Sequence, residues 1–268
     1  MKFTFLGTAA AEGIPAVFCN CSQCLAAWKA GGREIRTRSG AIIDNKLKLD
    51  FGPDSYAQML REGIRYYDVE NILITHTHED HYSYLDIANR RKPYSQLSAD
   101  EPALTVWGNE EAGKLLAPYI EPGVLEFKRL KPFEPQDVGG YTVTALEAVH
   151  KFDEQALFYL IEKDGKSILY AHDTDEFTDA DMDFLAGKKI NFISMDCTNG
   201  VLDLDYIGHM GINDNLRMRE KLIANGAADE NTVFVCNHFS HNGSPSIEIM
   251  QAKAPGFLIS YDGMKIEV

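Results

Sequence analysis

The sequence lacks any apolar run long enough to cross a membrane. Near its beginning, the apolar stretch Phe3–Leu6 is only a few residues long and is interrupted by Thr4, with Gly7 directly after it. This stretch is too short for the apolar region of a secretory signal peptide. We therefore predict a cytoplasmic protein that has no membrane partner.

Positive charge is also scarce. The 268 residues include 26 Lys and Arg against 40 Asp and Glu, which gives a formal net charge of −14. Nucleic acids need a positive surface for their phosphates, and the sequence has no basic or Gly/Pro-rich arm that would hold tRNA. Nucleic acid is therefore an unfavoured partner, although bound divalent metals or a local basic patch would make a small positive site.

Cysteines are few and odd in number, which does not suit a disulfide framework. Three of the five lie in the segment Cys19–Cys24, spaced Cys-x-Cys-x-x-Cys. This spacing indicates metal binding in a reducing compartment. Three cysteines lack the fourth ligand of a zinc site, so a reduced loop without metal is the alternative. Cys197 and Cys236 lie in or near apolar strands, where buried inert thiols are usual.

The densest group of chemically active residues is Thr75–His81, which reads Thr-His-Thr-His-Glu-Asp-His. It follows an apolar run typical of a buried strand. Imidazole and carboxylate groups are ligands of divalent transition metals. Side chains of an extended segment repeat every two residues, so His76 and His78 point the same way and can bind one metal. Asp80 and His81 follow a bend and can reach a second site.

Strands and helices follow a similar plan in both halves of the chain. Predicted hairpins come first and strands alternating with helices come later, which predicts two mixed sheets with helices outside. We expect a helix at 87–92 and a final hairpin in which 257–261 pairs with 264–268 around Asp262-Gly263. No repeat, linker or low-complexity segment interrupts the sequence. Residues 1–268 are therefore predicted to form one domain.

Ligand-type residues recur where predicted strands stop. They are Asp50, His76, His150, Asp173, Asp196 and His238. Any one of them alone is explained as a satisfied histidine or a turn-forming aspartate. The joint pattern predicts one convergent site, because α/β proteins usually bind ligands at the ends of strands.

These residues make the chain resemble the metallo-β-lactamase superfamily. The matching segments are Phe5–Thr8, Leu49–Gly52, His76–His81, His150, Asp173 and His238, in the family's order and over most of the chain. The resemblance implies an α/β fold, the αββα metallo-β-lactamase sandwich. In that fold two mixed β-sheets pack together, helices cover the outer faces, and a metal site lies between the sheet edges.

The resemblance also implies a role for each residue. Seven side chains would hold two divalent ions, zinc or manganese: His76, His78 and His150 the first, Asp80, His81 and His238 the second, and Asp173 both. Asp50 would orient the cluster from behind through hydrogen bonds.

Two further features narrow the resemblance. The Cys19–Cys24 loop and His241 look like the phosphodiesterase of the bacterial carbon–phosphorus lyase pathway, where such residues hold a structural zinc. Here that zinc would be bound by Cys19, Cys21, Cys24 and His241. His209 matches a histidine that contacts the substrate phosphate in those phosphodiesterases and in tRNA 3′-processing enzymes. We therefore take His209 and Asp80 as the catalytic residues.

The implied function is that of a metal-dependent phosphodiesterase. It would hydrolyse small phosphodiesters, cyclic ones among them, through a hydroxide activated by two metal ions. The partner would be a small-molecule substrate, and a homodimer is left open. Two alternatives share the site: a tRNA 3′-processing-like nuclease, and a weakly catalytic metal-binding protein similar to the pyrroloquinoline-quinone biosynthesis member of the superfamily. The resemblance to that member includes a zinc loop with cysteines, but its metal motif is typically incomplete, so seven filled positions favour an enzyme.

Three further polar residues are not assigned to the site. Arg36 and Arg38 flank the first predicted hairpin, where they would either face a phosphate or simply be exposed. His172 stands beside Asp173, and adjacent strand residues point to opposite sides. We therefore expect His172 to support the site rather than to bind metal.

Overall fold

Two seven-stranded β-sheets stack face to face in the computed structural model of the chain, and helices cover their outer faces. The structure describes residues 1–98, 100–204 and 207–268. Both sheets are mixed, with antiparallel and parallel pairs. The predicted αββα sandwich is confirmed.

Fourteen described strands build the two sheets. In chain order they are β1 (Lys2–Gly7), β2 (Gly40–Ile43), β3 (Leu47–Leu49), β4 (Asn71–Leu73), β5 (Leu104–Gly108), β6 (Leu125–Arg129), β7 (Gln136–Val138), β8 (Tyr141–Glu147), β9 (Leu157–Lys163), β10 (Lys166–Ala171), β11 (Phe192–Asp196), β12 (Val233–Asn237), β13 (Phe257–Ile259) and β14 (Lys265–Glu267).

Each sheet begins with antiparallel pairs and continues with parallel ones. The first has the order β14-β1-β2-β3-β4-β5-β6, and its pairs are antiparallel up to β3 and parallel from β3 to β6. The second has the order β13-β12-β11-β10-β9-β8-β7, antiparallel from β7 to β10 and parallel from β10 to β13. Parallel neighbours need long crossovers, and the helices supply several of them.

Seven α-helices are described: α1 (Ser22–Ala30), α2 (Ser55–Glu62), α3 (Tyr84–Ile87), α4 (Glu110–Leu116), α5 (Asp179–Leu185), α6 (Ile212–Ala224) and α7 (Ile247–Lys253). Several of them begin with a side-chain cap. The side-chain oxygen of Asn109 accepts from the N–H of Ala112 at the start of α4, and Thr178 and Asp181 form a capping box on α5. Within the described residues, no helix has the length and apolar character needed to span a membrane.

The main apolar core lies between the sheets. Phe3 and Phe5 of the first sheet meet Tyr170 and Phe192 of the second, and the rings of Phe3 and Phe192 pack edge to face with centroids 5.0 Å apart. Alternation along each strand sends neighbouring residues outward, where they pack under the helices. Each sheet therefore has two apolar faces, which explains uninterrupted apolar runs such as Leu157–Ile161 in β9.

The predicted hairpin at the end of the chain is wrong. β13 pairs in parallel with β12 in the second sheet, whereas β14 pairs antiparallel with β1 in the first. The turn itself forms, since the N–H of Met264 donates to the carbonyl of Tyr261. However, the carboxylate of Asp262 accepts hydrogen bonds from Thr8 and Thr37, which belong to the first half of the chain. The chain thus crosses between the sheets at this turn.

The helix predicted at 87–92 is also misplaced. The structure has the short helix α3, which ends at Ile87. The hydroxyl of Ser83 donates to the carboxylate of Asp86 at 2.7 Å, so the helical turn starts earlier than predicted. Pro93 disfavours the helical conformation of the residue before it, which explains why no helix continues to residue 92.

Phe192→Ala should lower the free energy of unfolding by about 3–5 kcal/mol, because it removes a buried ring from between the sheets. Phe18→Ala makes the same change at a fully exposed position and should cost less than about 0.5 kcal/mol. Equilibrium unfolding in denaturant measures both. Equal losses would contradict the central role of the intersheet core.

Candidate metal centre

The structure brings the strand-end residues together between the two sheets. β4 leads into the segment His76–His81, and β10 and β12 lead to Asp173 and His238. His150 follows β8 in the loop to β9. All seven predicted metal ligands are buried or half-buried. Their ring nitrogens and carboxylate oxygens form overlapping clusters in which the atoms lie within 4.8 Å of one another.

His76, His78 and His150 make one of these clusters. The Nδ1 of His78 lies 2.8 Å from Nε2 of His76 and 3.1 Å from Nε2 of His150. Two nitrogens bound to one tetrahedral zinc are about 3.3 Å apart, as follows from a Zn–N bond of about 2.05 Å. Burial lowers the pKa of His76 well below its ordinary value, and the neighbouring His81 adds to this. The ring is therefore neutral, which is the form that binds metal.

Asp80, His81 and His238 make a second cluster. The Nε2 of His81 lies 3.1 Å from Oδ2 of Asp80 and 3.3 Å from Nε2 of His238. Burial lowers the pKa of His238, but Asp173, Asp196 and Asp80 outweigh it and raise that pKa to about 10. Carboxylates that stabilise a proton this strongly also stabilise a metal cation.

Asp173 lies between the two clusters. Its Oδ2 is 2.5 Å from Nε2 of His81, 3.3 Å from Nε2 of His238 and 3.8 Å from Nε2 of His76. Although these nitrogens surround it, this buried oxygen makes no hydrogen bond of good geometry with any described residue. An oxygen that faces several nitrogens without hydrogen bonds fits a position between metal ions, which is the position of a bridging ligand.

Four of the five imidazoles in the clusters point Nε2 at the other donors, and their Nδ1 contacts an oxygen outside the clusters. The pairs are Thr75 Oγ1 with His76 Nδ1 (3.0 Å), Asp50 Oδ2 with His81 Nδ1 (2.8 Å), the Gly208 carbonyl with His150 Nδ1 (3.1 Å) and Thr198 Oγ1 with His238 Nδ1 (2.8 Å). Such contacts fix the orientation of a ligating ring. Asp50 thus lies behind His81, and its Oδ1 also accepts from the N–H and hydroxyl of Thr75.

Three of the site residues have an unusual backbone conformation. The φ angles of Asp50, Asp173 and His238 are +53°, +49° and +62°. Non-glycine residues seldom adopt this left-handed region, which costs on the order of 1–3 kcal/mol per residue. Each of the three follows the end of a strand, so the backbone turns sharply there at the cluster.

Asp196, at the end of β11, has a role that the sequence did not reveal. Its Oδ2 lies 3.1 Å from Nδ1 of His209 and accepts the N–H of Asp173 at 3.0 Å. Its Oδ1 accepts the N–H groups of Thr198 and Met210. The strand-end pattern included Asp196, but only the fold shows that it joins the ring of His209 to the backbone of Asp173.

His209 lies at the open side of the cluster. Its Nδ1 is 3.5 Å from Oδ1 of Asp173, and its ring lines a cleft of about 390 Å³. Burial lowers the pKa of His209, but the carboxylate of Asp196 outweighs burial and raises it. The predicted substrate-contacting histidine therefore stands between the buried cluster and the cleft.

The Cys19–Cys24 loop and His241 form a separate cluster. The Nδ1 of His241 lies 3.4 Å from Sγ of Cys21 and 3.7 Å from Sγ of Cys19. Around a tetrahedral zinc the corresponding distance is about 3.6 Å. A hydrogen bond from the N–H of Cys24, together with His241, lowers the pKa of the Cys21 thiol to about 6, which favours the thiolate that zinc binds. Because His241 follows β12, this Cys₃His cluster ties the first loop to the segment that carries His238.

The three unassigned residues lie outside both clusters. The guanidinium of Arg36 is buried, donates to Thr8 and to the carbonyl of Ser260, and lies over the ring of Phe239. Arg38 forms an ion pair with Asp54 at 3.1 Å. Neither arginine therefore belongs to the metal cluster.

His172 supports the structure next to the cluster. Its Nε2 lies 2.7 Å from the hydroxyl of Ser194, and burial lowers its pKa to about 3. The ring also contacts the side chain of Asn237 at 3.2 Å. The contacts of His172 are thus those of a buried, neutral, hydrogen-bonded side chain.

Comparison with known families identifies the fold. Residues 47–228 match the family described as the beta-lactamase superfamily domain. The chain belongs to the metallo-β-lactamase superfamily. The predicted resemblance is confirmed, and the donor clusters occupy the edge of the sandwich where that resemblance places a metal site.

Individual relatives share only a small part of their sequence with this chain. Coenzyme PQQ synthesis protein B of Methylorubrum extorquens is 28% identical over 157 residues, which are 54% of this chain and 51% of that protein. The chain spans about half the length of the curated relatives it matches.

Solved structures of other proteins superpose on the whole length of this chain. A diphosphatase from the PhnP family has a TM-score of 0.79 at 24% identity, over 100% of this chain and 97% of that one. Zinc-bound PqqB from Methylobacterium extorquens has a TM-score of 0.77 at 19% identity, over 100% of both chains. At sequence identities this low, the two structural matches show that the fold is shared. Family membership and the donor geometry together support divalent-metal binding.

Metal analysis tests the separate cysteine cluster. We expect His241→Ala to lose one zinc per chain relative to wild type and to keep the metal of the histidine cluster, because the two clusters share no ligand. Elemental analysis of purified protein measures both. Asn242→Ala, a change at the next residue, is the control and should keep all the metal. Unchanged zinc in His241→Ala would contradict the Cys₃His site.

Proposed function

We propose that this protein is a metal-dependent hydrolase that acts on small phosphodiesters. The observation that carries the proposal is the arrangement of six donor side chains around Asp173, with His209 at the side facing the cleft. Membership of the superfamily supports a hydrolase. One structural neighbour is a diphosphatase, which supports chemistry at phosphorus.

The residues fit two divalent ions. By the distances above, His76, His78 and His150 would hold the first ion and Asp80, His81 and His238 the second. Asp173 would contact both. When bound, such a pair lowers the pKa of water and stabilises negative charge on phosphoryl oxygens. Imidazole and carboxylate groups accept zinc and manganese alike.

His209 would act on the substrate directly. Its ring faces the cleft, and Asp196 holds Nδ1 and so fixes the orientation of the ring. An imidazole in this place donates a hydrogen bond to a phosphoryl oxygen or a proton to the leaving oxygen. Asp196 supports either role because its negative charge stabilises the protonated ring.

The cleft favours a small substrate over a polynucleotide. Among the described residues, its polar lining besides His209 is Asp175, Glu176, Asp203, Asp214 and Arg217, four carboxylates against one guanidinium. A polynucleotide needs positive charge along several phosphates. The lining and the net charge of −14 both disfavour the tRNA-processing alternative.

The second candidate is a role like that of Coenzyme PQQ synthesis protein B, which the sequence match favours. That match covers about half of each chain, so it leaves the whole-protein activity open. The complete donor set and the pairing of His209 with Asp196 favour hydrolysis. Metal-loaded wild type that hydrolyses no phosphodiester would favour the second candidate instead.

Hydrolysis of bis(p-nitrophenyl) phosphate tests the proposal. Asp80→Ala should lower kcat at least about 100-fold, because one ion loses a donor. His209→Ala should lower kcat by a factor of about 10² to 10⁴, as loss of a general acid does, and should leave the metal content unchanged.

Glu79→Ala is the matched control. Glu79 is the carboxylate next to Asp80 in the same heptapeptide, but its side chain is exposed. This variant should keep wild-type activity. If all three variants were as active as wild type, the proposed roles of Asp80 and His209 would be refuted.

A further inference from the structure

His78 is held differently from the other four imidazoles of the cluster. Its Nδ1 faces His76 and His150, and no described residue forms a hydrogen bond with its Nε2. The other four rings have an oxygen at their second nitrogen. The position of the His78 ring therefore depends on the backbone that carries it.

That backbone is fixed by Glu154 through Thr77, the residue between His76 and His78. The N–H of Thr77 donates to Oε1 of Glu154 at 3.0 Å, and the Thr77 hydroxyl donates to the same oxygen at 2.7 Å. The side chain of Glu154 is 1% exposed, so water does not compete for these bonds. Both donors of Thr77 are thus committed to one buried carboxylate.

The other oxygen of Glu154 is held by Asn109. The amide nitrogen of Asn109 donates to Oε2 at 2.7 Å and to the carbonyl of Gln155 at 2.9 Å, while its oxygen caps α4. Lys151 adds a positive charge 3.2 Å from Oε1. These donors outweigh burial and lower the pKa of Glu154. Glu154 is therefore an ionised, fully bonded group.

Glu154 also lies in the same loop as His150, the 148–156 connection between β8 and β9. We propose that Glu154 is a positioning residue that holds His78 against His150. Among the described residues, its hydrogen bonds and ion pair go to Thr77, Asn109 and Lys151 rather than to either ring. Glu154 thereby sets the affinity for one of the two ions, because His78 and His150 belong to one donor set. This second role rests on the proposed function.

The hydrogen bonds of Glu154 determine which substitutions test its role. In Glu154→Gln an NH₂ group replaces one oxygen and meets a donor on either side, the amide of Asn109 or the N–H of Thr77. Adding Asn109→Asp restores an acceptor opposite the introduced amide and keeps a good cap for α4, but it removes the hydrogen bond from Asn109 to the carbonyl of Gln155. The double variant should therefore recover part of what Glu154→Gln loses.

Titration of metal-depleted protein with Mn²⁺ tests the inference, since imidazole and carboxylate sites accept Mn²⁺ whereas thiolates disfavour it. We expect Glu154→Gln to weaken one of two Mn²⁺ binding steps by roughly 10- to 100-fold. The double variant should regain part of that loss. Glu62→Gln is the matched control, a mostly buried carboxylate paired with Arg61 and Lys265, and should bind as wild type.

Two outcomes would overturn the inference. One is Mn²⁺ affinity in Glu154→Gln equal to that of wild type and Glu62→Gln. The other is an equal loss in Glu154→Gln and the double variant, with a lowered unfolding midpoint in both, because that pattern describes general destabilisation.

Amide exchange of Thr77 separates this inference from the proposed function. In metal-free protein the Thr77 N–H should exchange faster in Glu154→Gln than in wild type and slow again in the double variant. If wild type binds no Mn²⁺, the proposed function fails, and this exchange alone decides whether Glu154 holds the His78 backbone. Unchanged exchange would overturn that role.

Discussion

The face-to-face packing of the two sheets is the interaction on which the rest of the molecule depends. It buries Phe3 and Phe5 against Tyr170 and Phe192, and apolar burial contributes roughly 25 cal/mol per Å². The same packing sets the ends of strands from both sheets side by side. Carboxylates and imidazoles are buried at that junction, which costs free energy unless each is paired. The hydrogen bonds of Asp50 with His81 and Thr75 meet this need.

Much of the fold and of the candidate site could be predicted because the signals are local. Apolar runs of strand length, turn residues and the order of hairpins and helices are written into short windows of sequence. The heptapeptide Thr75–His81 is equally local, so its donor types were visible before any contact was known. The strand-end pattern extended this to His150, Asp173 and His238, which the structure places in the same clusters.

What could not be predicted depends on contacts between distant segments. The turn at Asp262-Gly263 signals a reversal, but nothing local says that the two flanking strands join different sheets. Asp196 looked like one more strand-end aspartate until the fold placed it against His209. Glu154 stands in a polar loop without any motif, and its role comes from Thr77 and Asn109, which lie far away in sequence.

The metal-donor side chains are divided between the two sheets, which bears on when the folding chain could bind metal. The segment His76–His81 follows a strand of the first sheet, whereas His150, Asp173 and His238 follow strands of the second. Neither half of the chain carries a complete set for either proposed ion. A newly made chain would therefore capture metal at full strength only after its halves have docked. Once bound, the ions would link the two halves and add to the stability that the apolar packing gives the docked state.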